Sequence, residues 1–203
     1  MPVELKFEKE RKFLIQKDAR WREHVWYSVD IRQLFIPSEL GQPRVRLRLE
    51  NSEKYGKQAF AISKQHNPKK RAVEVKMTPL DYADAEAFLN EVRDSGKDKG
   101  KYIEKTRHFL NIPSKGKWCV DEFHGELEGQ IIAEHEVIGE KNAHVPFVQP
   151  SWIGEEVSHD RRFSNYDLAA NGWPDESIKV PMTKAQKMLR RNRDRGAQKQ
   201  RGR

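Results

Sequence analysis

Cysteine is nearly absent from this chain. Cys119 is the only one, so no internal disulfide framework can form, and a reducing compartment is expected. Long apolar runs are missing too, which excludes a membrane-spanning helix. The opening segment MPVELKFEKERKF has no apolar stretch of the kind a secretory leader needs, so a cytoplasmic protein is expected. No glycine-rich phosphate loop and no internal repeat occurs. Acidic excess is also lacking. The chain carries 39 Lys and Arg against 31 Asp and Glu. The imbalance sits in one place: residues 183–203 hold nine Lys or Arg and one acid, Asp194. The rest is formally neutral, so the basicity belongs to an appendage.

What is present is polar but able to fold, with 36% hydrophobic and 34% charged residues over 203 positions. Period-two alternation dominates. Val3, Leu5, Phe7, Phe13 and Ile15 share one parity; Glu8, Glu10 and Lys12 share the other, with a charge-paired helix as the competing reading of that segment. Residues 44–49 alternate without a break. Residues 31–36, 59–64, 73–77, 102–110, 118–123 and 130–138 also read as strands. About eight strands suit a closed barrel with room for side chains or one small ligand. A helix is expected from Thr78, Pro79, Leu80 and Asp81, with Ala83, Ala87, Phe88 and Val92 at helical spacing, ending near Gly96. A short helix is expected between Ala19 and Val25. Ser164 and Asn165 are expected to cap another, running through Leu168 and Ala169 to Gly172. The chain thus reads as one domain over residues 1–182 and a basic tail over 183–203, partly helical or disordered.

The polar parity sorts its charges by strand. Glu8, Glu10 and Lys12 lie on the first; Arg44, Arg46 and Arg48 on the third; Lys64 ends the fourth; Lys105 and Arg107 lie on the sixth; Glu134 and Glu136 on the eighth. Residues two apart on a strand point the same way. A solvated face is the plain account of any one such pair. An interior face is the sharper one. Two like charges ~4 Å apart repel by about 4 kcal/mol at an effective dielectric of 20, so an interior face would need counter-ions. Clustered Arg and Lys call for a polyanion such as phosphate. Clustered Glu calls for a hard divalent cation, Mg²⁺ or Mn²⁺. A metal–polyphosphate complex answers both demands.

The motifs have an order as well as a pattern. Glu8-Lys9-Glu10-Arg11-Lys12 resembles the ExExK signature of the CYTH family, the triphosphate tunnel metalloenzymes. Arg46-Leu47-Arg48, Ile62-Ser63-Lys64, Lys105-Thr106-Arg107, the stretch Trp118 to Gly125 and Ala133-Glu134-His135-Glu136 resemble its later strands. Trp152 to Val157 and Asp160 to Asn165 resemble its closing motifs, in the inorganic triphosphatase branch more than the cyclase branch. The resemblance implies an α+β fold: an eight-stranded antiparallel closed β-barrel, or tunnel, with flanking helices. It implies metal held by Glu8, Glu10, Glu134 and Glu136. It implies phosphate held by Lys12, Arg46, Arg48, Lys64, Lys105 and Arg107. Lys12, Lys105 and Asp121 become the expected catalytic residues, Asp121 as a further metal or water partner. The sequence departs from the family in two places. Phe35 stands where a tyrosine is frequent, and on the fifth strand only Glu74 remains of two glutamates.

The expected activity is metal-dependent hydrolysis of inorganic tripolyphosphate to pyrophosphate and phosphate. The alternatives are a class IV adenylate cyclase, an RNA or nucleoside 5′-triphosphatase, and a non-catalytic polyphosphate binder. The basic tail is either a solvated extension or a nonspecific nucleic-acid contact. His135, between two tunnel glutamates, is expected to pack on the outer face. Cys119 is expected near the bore as a packing residue. Trp118, Trp152 and Trp173 are expected as structural anchors.

Overall fold

The computed structural model describes residues 9–15, 20–36, 44–67, 72–95, 101–112, 116–137 and 149–175. Nine strands form one antiparallel sheet: β1 (Lys9–Ile15), β2 (Val25–Ile36), β3 (Arg44–Ser52), β4 (Gly56–Asn67), β5 (Ala72–Leu80), β6 (Tyr102–Leu110), β7 (Lys117–Phe123), β8 (Ile131–Val137) and β9 (Ile153–Glu156). Their order is β5-β4-β3-β2-β6-β7-β8-β1-β9. Two helices accompany them, α1 (Tyr82–Asp94) and α2 (Asn165–Asn171). Among the described residues no helix is long and apolar enough to cross a membrane.

Alternation decides which residues face which side. On β2, β3 and β4, Leu34, Leu47, Leu49 and Ala59 point outward and cluster with Ala85 and Leu89 of α1. On β1, β7 and β8, Phe13, Trp118, Val120 and Ala133 also point outward. They pack with Trp21, Leu110, Trp152 and Ile153. The opposite parity carries the charges, except at one end. There Phe35, Ile103, Phe123 and Ile132 meet Phe163, Leu168 and Ala169, so α2 closes that end of the inner face with an apolar plug. Trp173 joins the plug, its ring 5.4 Å from that of Phe163. The three tryptophans expected as anchors are anchors, and His135 packs on the outer face with its ring 4.6 Å from Trp118.

Several expectations need correction. Among the described residues the sheet has nine strands, not eight. Residues 153–156 add a short edge strand to β1, pairing Phe13 with Glu156 and Ile15 with Ile153. Hydrogen bonding among the described residues runs from β5 to β9 without a ladder joining those two ends, so a closed barrel is not what the backbone pairing describes. The first helix begins later than expected. Thr78, Pro79 and Leu80 extend β5, where proline is tolerated because β5 is an edge strand. Asp81 then caps α1, its side chain accepting from the Asp84 N–H at 3.0 Å. The buried stripe of α1 is Ala85 and Leu89, flanked by Tyr82 and Val92, while Ala83, Ala87 and Phe88 are exposed. The expected short helix is a 3-10 turn, Trp21–His24. The capped helix at Ser164 is α2, ended by Gly172 at φ +75°. Glu8 and the tail 183–203 lie outside the described residues.

Candidate active site

The charged parity of β1, β6, β7 and β8 converges on the inner face. Strand register places Lys12 opposite Glu134, Glu10 opposite Glu136, Arg107 opposite Asp121 and Cys119 opposite Glu134. Lys12 Nζ donates to Glu134 Oε1 at 2.8 Å and lies 3.1 Å from Glu10 Oε1. Arg107 holds Asp121 in a fork, Nε to Oδ1 at 2.6 Å and Nη2 to Oδ2 at 2.7 Å. The same Nη2 also bonds Glu134. Lys105 bonds Asp121 and donates to Asn165 Oδ1 at 3.3 Å. Asn165 opens α2, so the plug helix is tied to the charged cluster.

Burial sets the electrostatics. Asp121 is 0% exposed, Lys105 2% and Glu134 4%. Burial by itself would neutralise the acids. Arg107 and Lys105 instead hold the Asp121 carboxyl below the usual range, and Arg107 and Lys12 hold Glu134 well below it. Burial pushes against the charge on Lys12, but Glu134 and Glu10 raise its pKa above the ordinary lysine value. Lys105 goes the other way: burial, reinforced by Arg107, pushes it down to about 8 despite Asp121. Burial lowers Arg48 and raises the Cys119 thiol. Glu10 sits at the rim with 32% of its side chain exposed. Lost hydration on its inner side and the Glu134 charge both raise its pKa, and the two carboxyls share a hydrogen bond.

That last contact tests the fit of a metal. Two neighbouring carboxyls, one of them resisting ionisation, form a hard oxygen donor set that a divalent cation would relieve of its repulsion. Glu136 stands opposite Glu10 on the ladder and is half-buried. The residues present therefore fit a hard divalent cation. Cys119, Asp121 and Glu134 also bring ligand atoms within 4.8 Å of one another. Burial keeps the Cys119 thiol protonated, which makes that trio the poorer donor set.

The other expected residues fall on the neighbouring strands. Arg46 and Arg48 lie on β3, with Arg48 Nη2 2.5 Å from Glu50 Oε1. Arg48 lies within the electrostatic reach of Arg107, Asp121 and Glu134, so β3 and β6–β8 serve one space. Lys64 pairs with Arg44 in the β3–β4 ladder; its side chain lies outside what is described. Glu74 pairs with Gln65, one register step off the Lys64 row. Glu50 and Asn165 were not foreseen as members of the site. Glu50 was findable, two residues after Arg48 on the same strand. Asn165 was not, because only the docking of α2 brings it to Lys105.

An antiparallel sheet whose inner face carries buried, interlocked cations and carboxylates defines a β-protein built around a charged interior. Similar proteins narrow that class. No family model matches the chain. An inorganic triphosphatase of Nitrosomonas europaea is 26% identical over 160 residues, 79% of this chain and 95% of that protein. An inorganic triphosphatase of Acetivibrio thermocellus is 44% identical over 69 residues, a local match covering 34% of this chain and 42% of that protein. A crystal structure of an inorganic triphosphatase superposes with TM-score 0.55 at 25% identity, covering 88% of this chain and 99% of the other. In sequence and in fold, the chain is thus similar to proteins named inorganic triphosphatases.

Proposed function

We propose that this protein hydrolyses inorganic tripolyphosphate to pyrophosphate and phosphate with Mg²⁺ or Mn²⁺ bound. The observation that carries the reading is the Arg107 guanidinium, bound at once to Asp121 and Glu134 with Lys12 and Lys105 beside them. Of these five charged groups Lys105, Asp121 and Glu134 are buried, and such preorganised charge suits a polyphosphate. The relatives named as inorganic triphosphatases support the choice of substrate.

In this reading the charged inner face admits the phosphate chain. Glu10, Glu134 and Glu136, with Glu8 preceding them, would hold the metal. When bound, the cation supplies charge neutralisation and activation of water. Arg46, Arg48, Lys64, Lys105, Arg107 and Lys12 bind the phosphate oxygens and stabilise charge on the transferring phosphoryl. Arg107 keeps Nη1 clear of its Asp121 and Glu134 bonds, so it can meet a phosphate without releasing its carboxylates. Asp121 acts as a positioning residue: both its oxygens are spent on Arg107 and Lys105. Lys105, held near neutrality, is able to exchange a proton at physiological pH. The tail 183–203 is a candidate nonspecific contact for nucleic acid.

The test is phosphate release from tripolyphosphate and from ATP, side by side, with Mg²⁺ or Mn²⁺ and with a chelator control. Metal-dependent release from tripolyphosphate supports the reading. Cyclic AMP and pyrophosphate from ATP would replace it with a cyclase, and no turnover of either would sink it.

A further inference from the structure

Gln33 is a neutral amide on the charged face. It is 1% exposed. The ladders place it opposite Arg48 on β3 and opposite Ile103 on β6, two residues from Lys105. Two buried atoms here find no hydrogen-bond partner among the described residues: Gln33 Oε1 and Arg48 Nε. Glu50 is bound to Nη2 of the same guanidinium. A buried polar atom left unpaired is destabilising, so a pair of them on facing residues marks a place built for a ligand.

The two atoms ask for opposite things. Arg48 Nε–H donates and suits a phosphoryl oxygen. Gln33 Oε1 accepts and cannot bind an ionised phosphate oxygen; it needs an O–H or N–H donor. Lys105 is already engaged with Asp121 and Asn165. We infer that Gln33 orients the attacking water: its Oε1 accepts one water hydrogen bond while Arg48 holds the terminal phosphoryl alongside. This rests on the hydrolase reading above. The water oxygen forms the new P–O bond as the bridging P–O bond breaks. The electron pair leaves with pyrophosphate, and the water's protons end on the product phosphates. The amide itself takes no proton; it fixes the direction of a lone pair.

The experiment uses the full chain with Gln33→Met and Gln33→Leu, which fill the space but cannot accept. Turnover of tripolyphosphate with Mg²⁺ or Mn²⁺ is measured beside metal-free tripolyphosphate binding and thermal melting. The expected result is a fall in kcat of tenfold or more, with KM and tripolyphosphate affinity within twofold of the wild type. Unchanged kcat in a folded variant overturns the inference. So does a loss of affinity with kcat kept, which would make Gln33 a phosphate ligand, and so does failure of both variants to fold, which would make it structural. An inert wild type is a separate outcome: it removes the hydrolase reading, and this inference with it.

Discussion

Lys12 Nζ stands 2.8 Å from Glu134 Oε1 and 3.1 Å from Glu10 Oε1, joining β1 to β8 through one ammonium. Lys12 and Glu134 are direct partners on the ladder, so the contact follows from strand register. A lysine between two carboxylates keeps them together when no other cation does. It also occupies the space that a divalent ion and a phosphate would contest.

Glu10→Ala is expected to remove metal-dependent turnover while sparing the fold, because Glu10 lies at the rim. A fall in kcat/KM of about a hundredfold or more, with weaker Mn²⁺ binding by calorimetry and an unchanged circular dichroism spectrum, is the expected result. Wild-type turnover in this variant would remove Glu10 from the metal site. Chelator should silence the wild type in the same assay, and added Mg²⁺ or Mn²⁺ should restore it.

Lys105 predicts a pH limb. Its pKa is pushed down to about 8, so its positive charge is lost as pH rises through 8, and attraction for phosphate falls. The profile of kcat/KM, which reports free-enzyme ionisations, should bend downward near there. Lys105→Arg, whose charge does not titrate, should flatten the bend. The effect on folding has the opposite sign. A lysine with a depressed folded pKa penalises stability below about 8, and the penalty is relieved as pH rises from there toward the unfolded value, near 10.4.

Asp121→Asn breaks a fully buried charge cluster and leaves Arg107 and Lys105 without their shared carboxylate. A loss of about 3–5 kcal/mol is expected in urea unfolding. The acid limb should change as well. Asp121 and Glu134 have depressed folded pKa values, so their stabilisation is present above the unfolded carboxyl values, near 4, and is lost as pH falls through the lower folded ones. The wild type should lose stability on acidification, and the variant should lose less. Equal slopes would argue against the pairing.

Gly116 precedes β7 at φ +112°, and an added Cβ would come within 2.5 Å of His135 Nε2. Gly116→Ala therefore combines backbone strain with a clash against a packed ring, and about 1–3 kcal/mol of destabilisation is expected. A melting temperature equal to that of the wild type would show that β7 enters the sheet differently.

The strands were legible because period-two alternation separates two faces wherever one is apolar. Arg46 and Arg48 beside Leu47 and Leu49 could be read on no other pattern. The segment of Glu10 and Lys12 was ambiguous with a helix until pairing to β8 settled it. The ninth strand was hidden, since four residues, Ile153–Glu156, carry too little periodicity. The start of α1 was misplaced because Pro79 signals a helix start locally, while the edge position of β5 tolerates it in a strand.

The sequence by itself determined which residue types share a face, since parity along a strand is fixed by backbone geometry. It thereby determined that one side of the sheet would be rich in Arg, Lys and Glu. Only the tertiary structure decided how those charges meet. Arg107 reaches both Asp121 and Glu134 because β6, β7 and β8 are neighbours in the sheet, an order that no local pattern encodes. Asn165 reaches Lys105 because the apolar plug seats α2 against the end of the inner face. Both contacts join residues far apart in sequence, and their geometry is set by packing rather than by propensity.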